Sequence, residues 1–261
     1  MQFGDLFTFL SKYTDVFSPI AQLMYAVLLI ELVCSLIFKD GMYSLFGTIG
    51  NVFNGFVAKF LSFWIIATYA GYYVLWHFDA LALFPPIAIT PVSFVTCLLL
   101  VDFFYYLFHR MHHTYDFFWM FHASHHGDNK LNLSTALRVS WVEQFYILLF
   151  FIPVVLLGFT AREVIYAYFT LSIYQFFCHG QYMQLPRIFD SFMVTPHNHR
   201  IHHDQEHKNQ CSNYGGTFSI WDRLFGTYVT EIETFTPGLK GYQQNNTLLI
   251  QLDPIVKYVR K

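Results

Sequence analysis

The chain is poor in charged residues, and this shortage indicates what class of protein it is before any motif is considered. Only 12% of its 261 residues are charged, whereas 55% are hydrophobic and 21% are aromatic. A soluble domain normally carries about a quarter charged residues, so the composition is typical of a polytopic membrane protein. The formal net charge is −2, which gives no indication of a nucleic-acid partner.

Cysteine is scarce, and its positions form no pattern. The four cysteines are scattered and include no CxxC pair, which argues against a disulfide framework. The N-terminal segment MQFGDLFTFLSK lacks a basic region followed by an apolar core and a cleavage site. We therefore expect it to belong to the mature protein.

Hydrophobic stretches predict the membrane segments. Four stretches approach the length needed to span a bilayer and a fifth is marginal: residues 20–38, 56–78, 87–108, 142–157 and 164–178. The last two are separated only by a short turn, so they form either a full hairpin or a shallow re-entrant one. We predict an all-α, polytopic membrane protein of about four to five hydrophobic helices.

The distribution of basic residues predicts the orientation of these helices. If the loop after the third span is cytoplasmic, most basic residues outside the spans lie inside: Lys39, Arg110, Lys130, Arg138 and all those from Arg187 onward. Only Lys12 and Arg162 then lie outside. We expect an integral, multi-pass protein of a bacterial inner membrane or the endoplasmic reticulum, with a cytoplasmic histidine-rich cap.

The chain contains no visible repeat, low-complexity stretch or separable soluble domain. We divide it into N-terminal membrane helices at residues 1–86 and a histidine-rich catalytic region, which includes membrane helices, at residues 87–230. A C-terminal cytoplasmic tail follows at residues 231–261.

Eight of the thirteen histidines fall into three clusters. The clusters are His109 with His113, then His122, His125 and His126, then His199, His202 and His203. Residues three or four apart on an α-helix share a face, so each cluster can aim its imidazoles at one point. Imidazole suits iron, zinc, copper or nickel, and one structural zinc is satisfied by four ligands. Eight ligands therefore predict a site for two metal ions.

Histidines beside the clusters receive weaker assignments. His112 competes with His113 for the same role, and we treat it as a non-ligand. His179 ends the last hydrophobic stretch and is a candidate ninth ligand. His197 and His207 are expected to be solvated or to support the ligands, and His77 is unrelated to them.

Asp102 is a carboxylate near the membrane boundary, which makes it a functional candidate. It lies about 20° around a helix from His109, and so shares the face of His109 and His113. Two interpretations stay open. The carboxylate orients a ligand through the second ring nitrogen of a histidine, or it is a structural partner of Arg110 or a tyrosine.

The ordered motifs HRMHH, HASHH, NHRIHH, NYGG and WDRLFGTY, between Asp102 and Tyr228, resemble the fatty acid hydroxylase/sterol desaturase superfamily. The resemblance implies an integral-membrane, non-haem di-iron oxygenase that uses O₂ to attack an unactivated C–H bond of a lipid. It assigns all eight clustered histidines as iron ligands, and His179 matches an additional family histidine.

The chain departs from parts of the family. Some members have a second histidine four residues after the additional one, where this chain has Met183. A fused cytochrome b5 domain is also absent, so we expect a separate electron donor of the cytochrome b5, ferredoxin or pterin type.

Several functions remain open on this scaffold. Hydroxylation of a lipid or sterol-like substrate is our main interpretation, and desaturation or cleavage of an alkylglycerol ether are alternatives. A zinc-dependent hydrolase or a metal transporter belongs to a different class. A hydrolase needs about three ligands and an open position, and transporters place ligands near the bilayer midplane, whereas these ligands gather at helix ends. Zinc can still occupy such a site in recombinant material.

Overall fold

The computed structural model describes residues 3–64, 72–242 and 246–259, which fall into two compact units, Met1–Tyr43 and Ser44–Lys261. Within these described ranges the chain forms α-helices, 3₁₀ turns and isolated bridges but no strand. The prediction of an all-α protein is therefore confirmed.

The first unit consists of helix α1 (Phe3–Phe38) and the segment after it. Its part Ser18–Phe38 is long and apolar enough to cross a membrane, which agrees with the predicted span at residues 20–38. Leu36 and Ile37 on this helix are more than 60% exposed. Such an apolar surface is suited to lipid.

Helix α2 (Leu45–Trp64) buries Thr48, Asn51 and Asn54, whereas its phenylalanines Phe46, Phe53, Phe56 and Phe60 are exposed. The amides of Asn51 and Asn54 are buried and donate to Asp128 Oδ2 (2.7 Å) and to the Val139 carbonyl (2.9 Å). Phe46 is 77% exposed. A buried side whose amides bond to distant parts of the chain, and an outer side with exposed aromatic rings, suit a helix embedded in a membrane.

The predicted second span, residues 56–78, lies partly outside the described residues. Its first part belongs to α2, residues 65–71 lie outside the described ranges, and its last part forms helix α3 (Tyr72–Asp79).

Helix α4 (Pro91–Thr114) corresponds to the predicted third span and continues through the first histidine cluster. Thr90 caps it by accepting from the Ser93 N–H, and Pro91 occupies the first helical position, where a missing N–H costs nothing. The helix ends because Tyr115 adopts an extended conformation (φ −114°, ψ 121°), and α5 (Asp116–His126) begins at once. The backbone turn at Tyr115 folds the second cluster back toward the first.

The predicted fourth span, residues 142–157, is not one helix. It consists of 3₁₀ turns at Glu143–Phe145 and Ile147–Phe151 and the short helix α6 (Ile152–Leu156). Pro153 lacks the N–H that a continuous helix would need at this point. The fifth stretch forms helix α7 (Ala161–Cys178), capped by Thr160. Among the described residues, two helices have the length and hydropathy of a span, Ser18–Phe38 and Pro91–Thr114.

The remaining helices are short: α8 (Pro196–His202), α9 (His207–Gln210), α10 (Ile220–Leu224) and α11 (Thr247–Val259). Helix α4 packs against α5 and α7, α7 contacts α8, and α11 packs against α5 and α2. This arrangement brings the C-terminal ends of α4 and α7 together with α5 and α8.

Candidate metal centre

Nine buried histidines meet where these four helices converge, and all nine are at most 9% exposed. Helix α4 supplies His109 and His113, and α5 supplies three more. Helix α8 and its C-cap supply the third cluster, and His179 is the C-cap of α7. The structure therefore brings together every histidine that the sequence predicted as a ligand.

The nine rings form two groups. The five-histidine group contains His109, His113, His122, His126 and His202. The four-histidine group contains His125, His179, His199 and His203. Within each group, every ring offers a nitrogen that lies within 4.8 Å of the nitrogens of the others. Each group can therefore offer its nitrogens to one metal ion.

Hydrogen bonds define the protonation of several rings. The Nδ1 atoms of His109, His179 and His202 lie 2.9, 2.8 and 2.7 Å from the carbonyl oxygens of Tyr214, Gln175 and Ser212. A carbonyl can only accept, so each Nδ1 carries the proton. The Nε2 atom of each neutral ring then carries the lone pair.

His122 is oriented by a carboxylate. Its Nδ1 donates to Glu143 Oε1 over 2.9 Å, and the same oxygen lies 3.4 Å from His112 Nε2. A carboxylate on the outer nitrogen of a metal-binding histidine fixes the ring and makes it a more basic ligand. Sequence reasoning missed Glu143. The available signal was that it is the one charged residue between positions 139 and 161.

The inward-facing nitrogens fit a metal ion. His109 Nε2 and His122 Nε2 are 3.1 Å apart, yet both rings are protonated on Nδ1, so neither Nε2 can donate to the other. His199 Nε2 lies 3.0 Å from His179 Nε2 in the other group. The two lone pairs that face each other between His109 and His122 repel unless a cation lies between them. Several further buried ring nitrogens have no hydrogen-bond partner: His113 Nε2, His202 Nε2 and both nitrogens of His126.

Burial keeps these rings neutral, as metal ligands must be. It lowers the pKa of His122 to about 3 and that of His179 to about 4, because the charged imidazolium loses its hydration. At neutral pH both rings therefore have a lone pair available.

Asp102 has different partners from those we expected. Its carboxylate accepts from the Thr217 N–H and, over 2.8 Å, from the Trp221 indole N–H. The orienting role on a ligand ring belongs to Glu143 instead. Asp102 holds the segment after the NYGG motif against α4. The position of a residue around its own helix, on which our prediction was based, cannot identify a partner more than 100 residues away.

The NYGG motif supports the five-histidine group. Asp222 accepts hydrogen bonds from the N–H groups of Tyr214 and Gly215, both over 2.8 Å. The Tyr214 carbonyl in turn accepts a hydrogen bond from the Nδ1–H of His109. A Cβ atom on Gly216 would lie 2.7 Å from Leu171 Cδ1 and 2.8 Å from an Asp102 oxygen. Glycine is therefore required for this segment to approach the helices.

The other histidines lie outside both groups. The His112 ring contacts the Phe108 carbonyl (2.7 Å) and the Tyr146 hydroxyl (2.6 Å). His197 Nε2 lies 2.7 Å from the Thr230 carbonyl, and His77 lies in the last turn of α3. The side chain of His207 lies outside those that the structure describes.

Comparisons with known proteins agree with this geometry. Residues 94–227 match the fatty acid hydroxylase family. The chain is 36% identical to an alkylglycerol monooxygenase of Xenopus tropicalis over 139 residues, which are 53% of this chain and 31% of that protein. The corresponding human protein is 33% identical over 150 residues, 58% of this chain and 34% of that protein.

An ornithine lipid hydroxylase, OlsE, of Rhizobium tropici is 30% identical over 141 residues, which are 53% of this chain and 43% of that protein. The chain thus matches about a third of the length of the alkylglycerol monooxygenases. No solved structure matches it.

Proposed function

The chain belongs to the fatty acid hydroxylase family, and from this premise we propose that it is a membrane-bound di-iron oxygenase that hydroxylates a C–H bond of a lipid. The observation that carries the proposal is the pair of buried histidine groups. Side chains alone cannot oxidise an unactivated C–H bond, so a metal is needed for this chemistry.

We propose one iron ion in each group. The ligands are His109, His113, His122, His126 and His202 for one ion, and His125, His179, His199 and His203 for the other. Bound iron would supply the redox chemistry by which one oxygen atom of O₂ enters the C–H bond and the other leaves as water, with two electrons from a separate donor and two protons from solvent. Zinc has no redox chemistry, although it can load into recombinant protein.

The chain's own residues orient the ligands and exclude water. Three rings of the five-histidine group are held through Nδ1. Glu143 accepts from His122, and the carbonyls of Tyr214 and Ser212 accept from His109 and His202. Phe108, which is buried, and Tyr146 pack beside His112 on the outer side of Glu143. These contacts leave little freedom for the rings before a metal binds, which favours binding.

The membrane arrangement is part of the proposal. We propose a multi-pass protein with four to five hydrophobic segments in a bacterial inner membrane or the endoplasmic reticulum, and a histidine-rich cap on the cytoplasmic side. Residues 1–86 form the N-terminal membrane part, 87–230 the catalytic region and 231–261 the tail. On this side a cytochrome b5, ferredoxin or pterin donor can deliver electrons.

The names of the relatives support a class of substrate. Their names describe an alkylglycerol and an ornithine lipid, which share a polar head and apolar chains. We propose a polar lipid, with an alkylglycerol ether as the second candidate because four matched relatives carry that name. A sterol-like substrate and desaturation on the same scaffold remain alternatives that product analysis separates.

The test is isotopic. Apoprotein is reconstituted with Fe²⁺ or with Zn²⁺ and supplied with reductant, lipid and ¹⁸O₂. We expect one labelled oxygen atom in the lipid product with iron and none with zinc. Label from H₂¹⁸O, or equal activity with zinc, would instead show hydrolytic chemistry and contradict the proposal.

A further inference from the structure

A cavity of about 420 Å³ lies between α5, α11 and the segment before α11. This volume falls within the ~300–1,000 Å³ of small-molecule sites. His113 of the five-histidine group is one of its lining residues. The cavity therefore leads from the surface to a candidate metal ligand.

The walls are largely apolar and the charged groups are few. The apolar lining residues are Trp119, Met120, Ala123, Leu239, Pro254 and Tyr258. Asp116, Lys240 and Lys257 supply the charges. Apolar walls with a few charged groups suit an amphiphile rather than a fully polar ligand.

Lys257 is the cation that a ligand can use. Its ammonium lies 4.6 Å from the centre of the Tyr242 ring, and among the described residues no carboxylate lies within ion-pair distance of it. Lys240, by contrast, pairs with Glu206 over 2.7 Å. An exposed ammonium placed by an aromatic ring at the edge of an apolar cavity favours an anionic group.

Helix α11, like α2, has exposed apolar side chains on its outer face, and such a face is suited to lipid. Leu248, Leu252, Val256 and Val259 recur at helical spacing and are 41–75% exposed. Pro254 and Lys257, which line the cavity, lie on the opposite face. A helix with this division is typical of a membrane interface, so the cavity on its other face lies one helix diameter away from a surface suited to lipid.

We propose that this cavity binds the head group of an anionic lipid, with its phosphate or carboxylate at Lys257 and its apolar part against Trp119 toward His113. The inference deepens the proposed function, on which it rests in taking a lipid as the ligand.

The test measures binding, which needs no turnover. The full chain in neutral detergent is titrated with a lysophosphatidic acid that carries a bromine-labelled chain, and quenching of tryptophan fluorescence is followed. A monoacylglycerol with the same chain serves as the neutral probe. Trp119→Phe identifies the share of the signal that comes from the cavity, and metal content confirms that each variant is folded.

We expect the phosphate lipid to bind about tenfold more tightly than the neutral one, as a charge-assisted contact predicts. Lys257→Glu should abolish this preference, and Lys130→Glu, an exposed lysine on another segment that does not line the cavity, should keep it. Millimolar inorganic phosphate should not displace the lipid.

Three results would overturn the inference: equal affinity for both lipids, the same loss in both lysine variants, or displacement by inorganic phosphate, which would indicate a site for free anions. These results are independent of the isotopic test. Selective lipid binding without incorporation of ¹⁸O would contradict the proposed function and leave the head-group site standing. Lipid oxidation without a preference for the charged lipid would support the proposed function and contradict the head-group site.

Discussion

The two histidine groups use the same ligand type but are held in different ways. In the five-histidine group, the Nδ1 atoms of His109, His122 and His202 each contact a hydrogen-bond acceptor. In the four-histidine group, the His179 ring alone has such a contact among the described hydrogen bonds, whereas Nδ1 of His125 and of His199 makes none; in the five-histidine group the same is true of His126. Rings that are oriented in advance bind a metal more tightly. The five-histidine group should therefore be the stronger site.

The difference has a structural origin. The five-histidine group is flanked by Glu143 and by the segment that follows α9, which Asp222 holds in place. In the four-histidine group, the acceptor of the His179 ring is the Gln175 carbonyl, which belongs to the same helix, α7. The acceptors of the five-histidine group come instead from other parts of the chain.

Removing one ligand from each group should give the largest effect. We expect His202→Ala and His199→Ala each to abolish turnover and to lower the metal content from about two ions per chain to about one, because a buried group that loses a ligand leaves a coordination position unfilled. Metal analysis of purified protein gives the readout. His197→Ala is the matched control, since its ring lies outside both groups. Full metal content in His202→Ala would remove that histidine from the ligand set.

Glu143→Gln should have a smaller effect confined to one group. The amide keeps the volume of the side chain but removes the charge that supports His122, so we expect a loss of about 10–100-fold in metal affinity at the five-histidine group. Metal titration of apoprotein should show one weakened site and one unchanged site. If both sites weaken equally, the grouping of the ligands is wrong.

The candidate ligands could be predicted from the sequence because helical spacing is a local property of the chain. Pairs such as His109 and His113 share a face wherever the helix lies, and the structure places both in one group. The partition of the third cluster was not predictable, because His199 and His203 point to one group and His202 to the other.

The supporting residues were harder to predict because their contacts are distant in sequence. Glu143, at the start of a 3₁₀ turn, reaches His122 across 21 residues. Asp102 meets the Thr217 N–H across 115 residues. Hydropathy also favoured one segment at 142–157, since apolar runs do not separate a helix from a series of short turns.

The order in which the metal ions leave tests the central claim most directly. Protein with a full metal complement is dialysed against a chelator, and the ions remaining per chain are counted over time in the wild-type protein and in Glu143→Gln. We predict two ions that leave in two phases, with the slow phase accelerated in the variant and the fast phase unchanged. A single phase, or about one ion per chain at the start, would contradict the account of two separate and unequally held sites.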